Sequence, residues 1–169
     1  MENLLFERYT PNKNPQKLMV GIHGWKGNRF SFKPIAVSLN LPNVEWIFPQ
    51  APYQIEGNNE KNSWSYETSP GVWERNEPKM LMDKFIKNQV LKYYASTDVC
   101  FVGFSQGALM CYEYVLHCST PWGAVFPIAG FMTNPKDRDI HRFHPNQKST
   151  PIIIGHGKED DVVEFESSK

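Results

Sequence analysis

Five short apolar runs constrain this chain more than any other feature: "KLMVGIHG" (17–24), "NVEWIFP" (43–49), "DVCFVG" (98–103), "WGAVFPIAG" (122–130) and "PIIIGHG" (151–157). They do not alternate apolar and polar residues as a strand with one wet face does. Strands that are apolar in both directions are covered on both faces, and such strands belong to parallel sheets flanked by helices. Helical spacing fills the intervals. In "RFSFKPIAVSLN" (29–40), Pro34 requires a position near a helix start. "PKMLMDKFIKNQVLKYY" (78–94) places Pro78 in a first turn and aligns Met82, Phe85, Ile86, Val90 and Tyr93 as one stripe. "SQGALMCYEYVLHC" (105–118) sets Ala108, Tyr112 and Val115 on one side. The interleaving predicts an α/β sandwich with a mostly parallel central sheet, in one domain over 1–169.

Two stretches break the rhythm. Residues 50–77 form a long connection carrying Tyr53, Trp64, Tyr66 and Trp73, and four large rings argue for a wall or lid over a site. Trp73 reads as a core ring. Residues 131–150 form the second excursion, with His141 and His144 in "HRFH". No cysteine or acid cluster joins these two histidines at ligand spacing, so a surface loop is expected rather than a metal site.

Composition excludes several classes. Lys plus Arg number 18 and Asp plus Glu 18, so the basic excess of nucleic-acid and membrane-surface binders is absent. The start lacks the basic-then-apolar pattern of a signal peptide, and no apolar stretch approaches a membrane span. Cys100, Cys111 and Cys118 are sparse and odd in number, as expected of reduced thiols in a cytoplasmic protein. No nucleotide-binding glycine loop is present.

Chemistry enters at "VCFVGFSQGALMCYEYVLH" (99–117), where two glycines flank Ser105 between a strand pattern and a helix pattern. In open α/β sheets, ligands sit beyond the carboxyl ends of the strands. A turn this tight strains the serine backbone and projects its hydroxyl, and a side chain at Gly103 or Gly107 would strike a neighbouring element. This is the G-x-S-x-G nucleophile elbow; the alternative is a glycine-rich strand end with a capping serine. Acyl transfer by this design also needs an oxyanion hole, a carboxylate and a histidine. The residue after the nucleophile, Gln106, offers one N–H, and the turn in "GIHGWKGN" (21–28) places Trp25 to offer the second. His23 reads as a structural loop residue. The turn after 152–155 supplies Glu159, Asp160 and Asp161, a carboxylate source or else a solvated acidic turn.

The segments "VGIHGWKGN", "FPQAPYQ", "NSWSYE", "VGFSQGALM", "AVFPIAGF" and "IIIGHGKEDDVV", in that order, resemble the phospholipase/carboxylesterase branch of the α/β-hydrolases, which includes acyl-protein thioesterases. The resemblance implies a serine esterase or thioesterase acting on small esters or thioesters without metal or organic cofactor. It puts the nucleophile on Ser105, the acid on Asp160, the oxyanion donors on Trp25 and Gln106, and a pocket-lining ring on Trp64.

One departure is large. The family's histidine follows its acid by some tens of residues, whereas no histidine follows Asp160 here. Three readings stay open. The domain is C-terminally incomplete, lacking a last helix and strand; or the chain is short and keeps a pocket without turnover; or His156, His141 or His144 substitutes. An incomplete domain also exposes a sheet edge, which leaves pairing with a second copy as a homodimer open. The non-enzymatic alternative is an acyl-ligand-binding or interaction protein on the same scaffold.

Overall fold

The computed structural model describes residues 3–55, 57–132 and 143–168; His141 lies outside them. Along the chain run β1 (Phe6–Tyr9), β2 (Lys17–Ile22), α1 (Lys33–Leu39), β3 (Val44–Pro49), β4 (Tyr53–Ile55) and β5 (Asn58–Ser63). These are followed by β6 (Tyr66–Ser69), β7 (Val72–Glu74), α2 (Asn76–Phe85), β8 (Val99–Phe104), α3 (Gln106–Glu113) and β9 (Ala124–Ile128). The main sheet has the order β1-β3-β2-β8-β9. Only β1 is antiparallel, pairing with β3, and every other neighbour is parallel. The mostly parallel α/β sheet expected from the apolar runs is therefore the observed one.

Helices cover its two faces unequally. Leu18, Val20 and Ile22 of β2 point to the face where Met82, Phe85 and Ile86 from α2 and its continuation pack with Met110 of α3. The opposite face carries a smaller cluster of Phe32, Ala36, Trp46, Phe48 and Val102 under α1. Each fully buried side chain of this size contributes about 1.5–3 kcal/mol, so the first face holds most of the stability. Within α1 only Ala36 is buried, and the helix closes on Asn40 in the left-handed region at φ 42°.

Three expectations need correction. The stripe through 78–94 does not stay in phase: α2 widens into a π-helical turn at Ile86–Val90, with Leu91 N–H donating to Ile86 O at 2.9 Å. The wider turn takes one extra residue, which rotates the following chain and leaves Tyr93 62% exposed. The long connection is not irregular but two hairpins, β4–β5 and β6–β7.

The run at 151–155, expected as a covered strand, is instead the outer edge of the sheet. It touches β9 only through isolated bridges, Val125 to Ile152 and Ile128 to Gly155. Ile153 and Gly155 donate to Val125 O and Pro127 O, both at 3.0 Å. Pro127 has no N–H to return, so the ladder is interrupted there. Nothing among the described residues covers the run's outer side, and Ile153 is 59% exposed.

Candidate active site

Ser105 stands where β8 passes into α3, with φ 52° and ψ −115°. A non-glycine residue reaches such angles only when its surroundings enforce them. Two close approaches do so. A Cβ on Gly103 would lie 2.3 Å from Gly107 O, and one on Gly107 would lie 2.0 Å from Ile22 O. The helix start therefore presses against the ends of both β8 and β2. Ser105 N–H donates to Ile128 O at 2.9 Å, tying the bend to β9. Its hydroxyl is half-buried and has no hydrogen-bond partner among the described residues.

The predicted donors lie beside it. Gln106 opens α3, so its main-chain N–H is one of the helix's unpaired donors at the positive end of the dipole. The loop after β2 comes equally near: a Cβ on Gly24 would lie 3.4 Å from Ser105 Cβ. Past Gly24 the chain turns tightly, with Gly27 N–H donating to Gly24 O at 3.1 Å and Lys26 at φ 62°. Trp25 sits in this turn, and its N–H has no acceptor among the described residues.

Trp25, Ser105 and Gln106 line one cavity of about 440 Å³ with Ser65, Trp73, Arg75, Leu109, Phe131, Val162 and Val163. Its walls are mainly apolar, as in most small-molecule sites. Arg75 is paired through Nη1 with Glu113 Oε1 at 2.7 Å. The two tryptophans exchange the places expected of them. Trp73 is 49% exposed and forms part of the wall, whereas Trp64 is 1% exposed and lies in the core, outside the lining. The physical reason is hydrogen bonding: the Trp64 indole donates to His23 O at 2.9 Å, which draws the ring inward.

Behind the donors is a buried polar lattice. Gln106 Oε1 accepts from Trp64 N–H at 2.9 Å, and Gln106 Nε2 donates to the Ser63 and Ser65 hydroxyls at 2.9 and 2.7 Å. His23 is 1% exposed; its Nε2 accepts from Ala51 N–H at 3.0 Å, and Nδ1 lies 2.7 Å from Gly24 O. This pairing assigns a neutral ring with its proton on Nδ1. Burial drives its pKa down to about 4. His23 is thus structural, as its place in the loop suggested. Ser65, Phe131 and the two valines line the site without having been singled out by the motifs, and Arg75 lies outside the resembling segments altogether. The signal for the others was their place in "NSWSYE", "AVFPIAGF" and "IIIGHGKEDDVV".

The acid is less tightly placed. Asp160 Oδ1 accepts from Val162 N–H at 3.0 Å and Val163 N–H at 2.9 Å, and these bonds hold its carboxyl below the ordinary range. Asp160 does not line the cavity; the two valines that it caps do. Asp161 and Glu159 are exposed. His156 does not reach Ser105. Its side chain is buried, and Nε2 lies 2.7 Å from Val163 O and 3.6 Å from Asp160 Oδ2. His144 Nδ1 instead caps a short 3-10 helix by accepting from Asn146 N–H at 3.2 Å. No histidine among the described residues hydrogen-bonds Ser105. No group of three or more His, Cys, Asp or Glu among the described residues is placed to hold a metal ion. No helix there is long and apolar enough to cross a membrane.

Comparison with known proteins extends the geometry. The chain is 28% identical over 103 residues to acyl-protein thioesterase 1 of Aspergillus fumigatus, covering 60% of the chain and 41% of that protein. It is 27% identical over 84 residues to acyl-protein thioesterase 1 of Kluyveromyces lactis, covering 49% and 36%. The chain thus matches about two fifths of the length of these curated relatives. The crystal structure of esterase PE8 superposes with a TM-score of 0.77 at 21% identity, covering 98% of the chain and 80% of that structure. Zea mays acyl-protein thioesterase 2 gives 0.74 at 20%, covering 97% and 80%. At these identities the structural likeness is one of fold. The family model described as phospholipase/carboxylesterase matches residues 7–169, taking in the sheet, the elbow and the acid turn together, and the chain belongs to that family.

Proposed function

We propose that this protein is a serine hydrolase of small carboxylic esters or thioesters, working through an acyl-serine intermediate. The observation that carries the reading is the strained Ser105, its hydroxyl unpartnered among the described residues, on the wall of an apolar cavity shared with Trp25 and Gln106. Ser105 Oγ attacks the acyl carbon, the carbonyl electrons move to oxygen, and the Trp25 and Gln106 N–H groups hold the resulting oxyanion. Collapse expels the alcohol or thiol, which takes up a proton, and water then releases the acid and restores the serine. Trp73, Leu109 and Phe131 bind the apolar part of the substrate. Asp160 is the acid of the proposed triad, orienting a histidine base that is not found beside Ser105 among the described residues. With water as proton acceptor, the described groups retain only the 10³–10⁴-fold or so that oxyanion binding supplies.

A fluorophosphonate probe tests this. Ser105 Oγ bonds to phosphorus, the P–F bond breaks, fluoride leaves and the hydroxyl proton passes to solvent. Intact mass should show one adduct, mapped to Ser105 and absent from Ser105→Ala. A folded wild type without an adduct, or an adduct undiminished in Ser105→Ala, would overturn the proposal. Acyl-ligand binding without labelling is the result expected of a non-catalytic binding protein.

A further inference from the structure

We infer that Trp64 is a positioning residue that sets the spacing of the two oxyanion donors, an inference resting on Ser105 as the nucleophile. Trp64 lies between β5 and β6, behind the cavity wall rather than on it. It makes two bonds in two directions. Its indole N–H donates to the carbonyl of His23, the residue directly before the Gly24–Trp25 turn. Its main-chain N–H donates to the side chain of Gln106, whose own main-chain N–H is the second donor. One residue therefore braces both halves of the hole, one half arriving from β2 and the other from α3.

The brace is stiff because every group in it is occupied. The Gln106 carboxamide spends both Nε2 protons on Ser63 and Ser65, and its oxygen on Trp64. The His23 ring lies 5.4 Å from the Trp64 ring and is pinned at Nε2 by Ala51. A buried network in which each member is satisfied is rigid, and productive geometry at such a site tolerates about 0.5 Å. This also accounts for a glutamine that is buried although its contribution to chemistry is a main-chain N–H. Trp64→Phe keeps a ring but removes the N–H, leaving His23 O free to swing and carry the Trp25 peptide with it.

The experiment is the rate constant for fluorophosphonate labelling, separated into reversible binding and bond formation. Trp64→Phe should slow bond formation by about tenfold or more while reversible binding changes less than twofold. Trp122→Phe is the matched control: it removes another buried indole bond, to Val115 O at 3.2 Å, at a residue that does not line the cavity. That variant should melt earlier and label at the wild-type rate. Should Trp64→Phe not fold, Gln106→Met removes the other arm of the brace, retains the main-chain donor and should show the same slowed step. Folded Trp64→Phe labelled at the wild-type rate overturns this inference alone, as does an equal slowing in Trp122→Phe. An unlabelled wild type overturns the nucleophile reading and this inference with it.

Discussion

The elbow at the centre of the sheet and the 151–163 segment at its edge carry the proposed nucleophile and the proposed acid, and they are built in opposite ways. At the elbow the backbone is over-determined: α3 meets β8 and β2 at distances that admit no Cβ, and Ser105 is held by Ile128 O. At the edge a Cβ on Gly155 would meet Ile128 Cγ1 at 3.8 Å, an ordinary contact. Ile152, Ile153 and Ile154 are exposed, and Asp160 is held by its own turn. A strained residue can be kept only where packing on several sides resists its relaxation. Such packing exists in the middle of a sheet and not at an interrupted rim.

The largest expected effect contrasts two glycines. Gly107→Ala drives a methyl into Ile22 O and should cost about 3 kcal/mol or more in urea unfolding. The same change at Gly155, where space is open, should leave stability within about 1 kcal/mol and can raise it by restricting the unfolded chain. Equal losses at both positions would erase the distinction between centre and edge.

Acid should weaken the elbow side next. His23 is neutral when folded, with a pKa of about 4 against 6.5 when free. Between these values the unfolded chain binds the extra proton, so stability falls as pH drops from about 6.5 towards 4 and is unaffected by this group below that. The full loss is about 3.5 kcal/mol, from a lowering of about 2.5 at ~1.4 kcal/mol for each pH unit. Unfolding midpoints at pH 7 and pH 4.5 for the wild type and His23→Gln measure it, and the variant should lose this part of the slope. The Asp160 carboxyl is also lowered, so its contribution is present above the ordinary carboxylate pKa and is lost only at lower pH, as the folded group protonates.

The smallest effect belongs to the edge. Ile153→Thr should change stability by about 0.5 kcal/mol or less, because the side chain is already largely in water. Ile22→Thr, on a fully buried position of β2, should cost several times more. A large loss at Ile153 would show that the rim is covered in solution.

Local rules sufficed wherever a residue's role follows from its neighbours in the chain. Non-alternating runs fixed the parallel sheet, and two glycines around Ser105 fixed the bend, since both depend on backbone sterics and burial of contiguous segments. The roles of the tryptophans did not follow. Trp64 and Trp73 sit in similar polar-aromatic contexts, and the choice between core and wall came from a carbonyl 41 residues away at His23. The exposed run at 151–155 was equally hidden, because Pro127 on another strand removes the N–H that would have completed its ladder. Chain-local geometry thus determined which runs form buried strands and where the strained bend at Ser105 falls. Long-range hydrogen bonding decided which ring lies in the core and where the sheet edge is interrupted, because a donor's partner is a property of the folded arrangement and not of its own sequence neighbourhood.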